Sequence, residues 1–293
     1  MAAILYTAES VGGYMQTATR ALQGTRSSGA PLPRVDALTD LYDSMFRWLP
    51  RRGQMMMVAG QPGSQKSGLA LWYVECLKVP ALYFSMDMAQ HTASTRLASI
   101  LTGASSEKIA EESMNGHGWY YAEALEESQI SFCFDSSPTL EDMYAEINAY
   151  VEVYDRFPHV IVVDNLMDVM AEGEMGHQSD KALLLEFKNL ARVTGAAVIV
   201  LHHASESSGN PLDPPARKFV INKASQTPEI ILTVGFNSDT GEFKVAFVKQ
   251  RNAPSDPGAE NPVSLRADPD RTTFSRWLPR AAPVSHSWEY AGD

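Results

Sequence analysis

The sequence predicts an α/β fold: a mainly parallel central sheet flanked by helices, with an antiparallel hairpin at one edge. Three observations point there. Short, continuous apolar runs, MMMVA (55–59), VIVV (160–163) and AAVIVL (196–201), read as strands buried on both faces. Between them lie stretches with apolar residues at the i, i+3, i+4 spacing of helices. Residues 230–236 and 242–249 flank SDTG, a tight-turn sequence, and so form a hairpin.

In chain order, residues 1–34 read as an arm. A short amphipathic stretch at 14–22 is followed by GTRSSGAPLPR, whose Gly, Ser and Pro mark a linker. Residues 54–59 form the first strand, and Lys66–Leu77 a helix that is apolar nearly all round through Leu69, Leu71, Trp72 and Val74. ALYFS (81–85) is the second strand, and 93–101 a helix ending at Gly103. Thr139 caps a helix that runs to Tyr154 with Leu140, Met143, Tyr144, Ile147, Val151 and Tyr154 along one face. VIVV ends in Asp164, residues 180–193 form another helix, and AAVIVL ends in His202-His203. Residues 35–255 are thus expected to form one domain. Residues 256–293, rich in Pro and Arg and aperiodic apart from a short strand pattern at 263–266, read as an extended tail.

The 293 residues are 44% hydrophobic and 20% charged, the composition of an ordinary globular protein. No apolar run reaches membrane-spanning length, and the N-terminal MAAILYTAESVGGYMQ lacks the pattern of a signal peptide, so no membrane and a cytoplasmic location are expected. Cys76 and Cys133 sit among apolar neighbours and read as small hydrophobes, not as a disulfide or metal framework. The net charge of −11 argues against a protein that coats nucleic acid with its whole surface. It leaves room for a strand held by a local basic patch or by a pore shared among subunits.

The chemistry collects at the strand ends, where a wound parallel sheet binds its ligands. After the first strand comes GQPGSQKSG: Gly60, Gln61, Pro62, Gly63, Ser64, Gln65, Lys66, Ser67 and Gly68. This is close to the phosphate-loop pattern G-x-x-x-x-G-K-[ST], with Gln65 where the pattern has glycine. Such a loop points backbone N–H groups and a helix N-terminus at the phosphates of a nucleotide. For ATP with Mg²⁺, Lys66 would neutralise phosphate charge, and Ser67 and Asp164 would hold the cation. Asp87, after the second strand, is placed to orient or deprotonate water, and His203 to sense the γ-phosphate. The hairpin's second strand ends in Lys249-Gln250-Arg251, suited to reach a neighbouring subunit. Taken singly, each residue has an ordinary reading: a loop cap for Asp164, a solvated carboxylate for Asp87, core or loop imidazoles, hairpin-end charges.

The order of motifs resembles the motor domain of DnaB-type replicative helicases, the RecA-like superfamily 4 of P-loop ATPases. Five stretches carry the resemblance: LTDLYDSMFRWLPRRGQMMMVAGQPGSQKS, LYFSMDMAQHTASTRLAS, HVIVVDNLMDVM, FKNLARVTGAAVIVLHH and FKVAFVKQRNAP. It implies a RecA-like core, ATP and Mg²⁺, a homo-oligomeric, hexamer-like ring on single-stranded DNA, and other replication proteins as partners. Lys66 and Ser67 match the phosphate and magnesium residues, Asp164 the second metal-binding acid, and Asp87 the presumed catalytic base. His203 matches the γ-phosphate sensor, and Lys249 and Arg251 the fingers that act in trans. Residues 170–180 and 204–225 match the channel loops, with Arg217, Lys218 and Lys223 expected on DNA phosphates. Three departures stand out. Gln65 would cost on the order of 1 kcal/mol if its backbone is left-handed. Asp87 replaces the usual glutamate, which sets its carboxylate back by roughly 1.5 Å. The chain has no counterpart of the N-terminal helical domain, which fits a compact form from a phage or plasmid system in a bacterial or phage-infected cell. Two other expectations share the motifs: a RecA- or RadA-like recombination ATPase, and a weakly hydrolysing ATP-binding protein of assembly or helicase loading.

Overall fold

Strands that are apolar throughout need cover on both faces, and the chain supplies it. A computed structural model describes residues 29–44, 49–170, 177–205, 209–210, 212–251 and 253–278. The first elements are α1 (Thr39–Ser44), β1 (Met55–Gly60), α2 (Lys66–Leu77), β2 (Ala81–Ser85), α3 (Gln90–Thr102), α4 (Ser106–Met114), α5 (Trp119–Glu126) and β3 (Ile130–Cys133). They are followed by α6 (Leu140–Tyr154), β4 (Val160–Asp164), α7 (His177–Thr194), β5 (Ala197–His203), β6 (Ile230–Asn237), β7 (Glu242–Gln250), β8 (Val263–Asp268) and β9 (Thr273–Arg276). All strands join one sheet of nine, in the order β3-β2-β4-β5-β1-β6-β7-β8-β9. Pairing is parallel from β3 to β6 and antiparallel from β6 to β9.

The two-residue period of a strand divides the core into two layers. Met56, Val58, Tyr83, Val162 and Ile199 pack with Leu69–Leu77 side chains of α2, with Ala93 and Leu97 of α3, and with Val35, Leu38 and Leu41. On the opposite face Met55, Met57, Phe84, Val163 and Val200 pack with Met143 and Ile147 of α6 and with Leu184, Phe187 and Leu190 of α7. Local chemistry fixes the helix ends. Thr139 and Asp142 form a reciprocal capping box at the start of α6, and α3 stops at Gly103 in the left-handed region (φ 73°). The helices expected at 93–101 and 180–193 are longer by a few residues, as α3 and α7.

The strand expected at 263–266 is β8, two residues longer. One expectation is corrected: the rest of that stretch is not all extended tail, because β9 follows and both strands continue the sheet from β7. Phe274 of β9 accounts for the anchoring: it is 5% exposed, and its ring centroid lies 5.3 Å from Trp72 and 4.9 Å from Phe243. The edge strand β3 and the helix pair α4 and α5 were not assigned from periodicity. The arm at 1–28, including the stretch at 14–22, and residues 279–293 lie outside the described residues. Among the described residues, no helix is long and apolar enough to cross a membrane.

Removing the Phe274 ring empties a site shared by α2, β7 and β9. Phe274→Ala is expected to destabilise the protein by about 3 kcal/mol or more in urea unfolding. A loss under about 1 kcal/mol would show that β9 does not anchor the edge of the sheet.

Candidate functional site

The turn after β1 is tight because its first residue has no side chain. A Cβ on Gly60 would lie 2.5 Å from Ser64 Oγ and 2.9 Å from the Val234 carbonyl oxygen. Gly63 takes φ +76°, and Gln65, the N-cap of α2, sits in the left-handed region at φ 60°, ψ 28°. The glycine of the usual pattern therefore has a conformational reason, and Gln65 adopts the same backbone with a side chain present. The loop brings the N-terminus of α2 against the carboxyl ends of β1 and β5, where Gly60 pairs in register with His203.

Lys66 curls back into this loop. Its Nζ donates to the carbonyls of Gly60 (3.1 Å) and Gln61 (2.9 Å), and the residue is only 8% exposed. Burial lowers its ammonium pKa to about 8, against the opposing pull of Asp164 and Asp87. Ser67, one residue on, donates its hydroxyl to Asp164 Oδ1 at 3.0 Å. Asp164 is 1% exposed, and its Oδ2 accepts from the Tyr83 hydroxyl at 2.8 Å. Burial raises the Asp164 pKa to about 6, while the hydrogen bonds from Tyr83 and Ser67 hold it down.

Asp87 stands exposed past the end of β2, where the Met86 and Asp87 N–H groups donate to the Asp164 carbonyl (2.8 and 3.4 Å). It is near enough to act electrostatically on Lys66, Asp164 and His203. The two histidines part company. His203 is half-buried beside Gly60, and its pKa is lowered first by burial and then by Lys66. His202 is fully buried, its Nε2 3.2 Å from the Ile221 carbonyl. The loop, Asp87, Asp164 and His203 thus gather at one end of the sheet.

Lys249 and Arg251 do not, which corrects their grouping with the other strand ends. Because β7 runs antiparallel, its carboxyl end lies at the opposite end of the sheet. Lys249 is level with Ile231, Ile231 with Met57, and the Arg251 N–H donates to the Glu229 carbonyl. At about 3.3 Å per residue, Arg251 sits roughly 17 Å behind Gly60 along the strands. Lys249 Nζ donates to the Ser225 (2.9 Å) and Gln226 (2.7 Å) carbonyls, and burial, then Arg217 and Arg251, lower its pKa to about 8. Arg217 and Lys218 lie on a single 3₁₀ turn, Arg217–Phe219, and Lys223 in another, Ile221–Gln226. A cavity of about 1020 Å³ is lined by Arg217, Lys218, Ser225, Lys244 and Glu260, and none of the phosphate-loop residues lines it. Of the two expected channel loops, residues 171–176, 206–208 and 211 lie outside the described residues. Sequence reading missed Tyr83, which looks like any core residue of an apolar strand until the register sets its hydroxyl beside Asp164.

The donor set suits a nucleotide with a hard cation. Ser67 and Asp164 offer oxygen ligands, the glycine-bearing turn leaves backbone N–H groups close to a phosphate, and Lys66 supplies the charge. Among the described residues no group of three acidic, imidazole or thiol side chains is placed to hold a metal ion by itself. Bound Mg²⁺ typically completes its shell with water and phosphate oxygens.

Comparison with known proteins agrees with this geometry. Residues 41–209 match the family described as the AAA domain. The gene 65 protein of Mycobacterium phage L5 is 33% identical over 263 residues, covering 86% of this chain and 95% of that protein. A solved DnaB-like replicative helicase, described with its interactions with primase, superposes with a TM-score of 0.72 at 16% identity, over 90% of this chain and 68% of that one. The RadB recombinase gives 0.53 at 18% identity, over 83% and 97%. At such identities the likeness to the two structures is one of fold, and the fold is RecA-like.

Replacing Gln65 by glycine relieves the left-handed strain at the start of α2. Gln65→Gly is expected to raise stability by about 0.5–1 kcal/mol in thermal or urea unfolding. A loss of stability would show that contacts of the Gln65 side chain outweigh that strain.

Proposed function

The chain belongs to the AAA domain family, and from that premise we propose that it is an ATP-dependent oligomeric motor on single-stranded DNA, a DnaB-like replicative helicase. The observation that carries the reading is the 3.0 Å hydrogen bond from Ser67 to Asp164, which sets the phosphate loop against the acid at the end of β4. In this reading Lys66 leaves its two carbonyls for the β and γ phosphates of ATP, and Ser67 and Asp164 hold Mg²⁺. The cation would supply charge neutralisation on those phosphates. Asp87 orients the attacking water, and His203, in register with Gly60, reports the γ-phosphate to the segment that begins at Ala204. The Ala204 N–H already donates to the Gly60 carbonyl at 3.0 Å, which links that segment to the phosphate loop.

Lys249 and Arg251 act on a neighbour's nucleotide, and their placement at the far end of the sheet supports a role in trans. The segments at 170–180 and 204–225 line a channel in which Arg217, Lys218 and Lys223 contact DNA phosphates. A net charge of −11 confines that contact to a local patch. The protein works in the cytoplasm of a bacterial or phage-infected cell, with other replication proteins as partners. The left-handed Gln65 favours a second reading, a weakly hydrolysing ATP-binding protein of assembly or helicase loading.

Phosphate release with and without single-stranded DNA separates the two. Stimulation by DNA is expected; a rate near background and indifferent to DNA would select the weakly hydrolysing protein. Lys66→Ala should abolish turnover, and full activity in that variant would show the loop to be misassigned. Arg251→Ala should keep nucleotide affinity while losing about 10³-fold in hydrolysis. Mixing it with Lys66→Ala should restore part of the rate, and no recovery would remove the case for a finger in trans.

A further inference from the structure

We propose that Tyr83 is a positioning residue for the cation half of this site: its phenol pins the Asp164 carboxylate so that Oδ1 stays aimed at Ser67. The inference rests on the reading of Ser67 and Asp164 as the Mg²⁺ holders. Tyr83 is 0% exposed in the middle of β2, and its hydroxyl donates to Asp164 Oδ2 at 2.8 Å while Ser67 occupies Oδ1. The sheet register makes this reach possible. Tyr83 pairs with Val162, and Asp164 lies two residues farther along β4, so both side chains rise on the α2 side of the sheet. The phenol ring is itself braced, with its centroid 5.4 Å from Phe132.

A buried hydroxyl without a partner is costly, and phenylalanine would fill the same space in an apolar layer. The oxygen of Tyr83 therefore has its use at Asp164. A carboxylate turns easily about its last torsion, which is broad and nearly two-fold. Bonded at both oxygens, the Asp164 carboxylate has one orientation, and little rotational freedom is left to lose when a cation binds. Partners of this kind commonly change metal affinity by about 10–100-fold when removed.

The test is binding of a fluorescent ATP analogue titrated with Mg²⁺. Tyr83→Phe should raise the Mg²⁺ concentration for half-maximal enhancement by about tenfold, leaving the affinity measured in EDTA unchanged. In an Asp164→Asn background, adding Tyr83→Phe should change nothing further, because the phenol acts through that carboxylate. An unchanged Mg²⁺ requirement, an equal weakening with and without Mg²⁺, or full additivity with Asp164→Asn would each overturn the role of Tyr83. If the wild-type protein binds the analogue without regard to Mg²⁺, the assignment of Ser67 and Asp164 falls too.

Discussion

One hydrogen bond organises this site. Ser67 and Asp164 are 97 residues apart in the chain, yet the hydroxyl of one meets the carboxylate of the other at 3.0 Å. For that to happen, β5 must lie between β1 and β4, the period of β4 must turn Asp164 toward α2, and the loop after β1 must set the start of α2 at the end of the sheet. The apolar layer of Leu69, Leu71, Trp72 and Val74 against Met56, Val58 and Val162 holds the helix there. The packing of one sheet face thus sets the distance between two polar groups at its end.

Those polar groups are expensive to bury. Removing Lys66 and Asp164 from water moves each toward its neutral form, to about 8 and about 6. The charge of each group partly offsets the cost of burying the other. The surrounding strands, apolar on both faces, supply what holds these charges in place.

Much of this was legible in the sequence, for identifiable reasons. VIVV and AAVIVL are read as strands because burial on both faces leaves no polar residue in them, and the hairpin because its turn is spelled out. Strand β3 offers only four half-buried residues at the sheet edge, too short a run to stand out. In β8 only the short pattern at 263–266 shows, and in β9 the signal is sparser still, carried by Phe274. At the site, the loop, Asp87, Asp164 and His203 could be gathered by one rule about strand ends. That rule misled at Lys249 and Arg251, because it holds for parallel strands and β7 is antiparallel. Tyr83 was invisible, since a strand quoted as letters does not reveal which hydroxyl faces which neighbour.

The reversed direction of β7 also bears on how subunits would meet in the assembly proposed above. With the phosphate loop at one end of the sheet and Lys249 and Arg251 at the other, the trans role proposed for them calls for a head-to-tail contact or for an antiparallel two-fold one that completes two sites at once. Repetition of the head-to-tail contact either closes into a ring, with every site complete, or continues as a helix with one unfinished site at its tip.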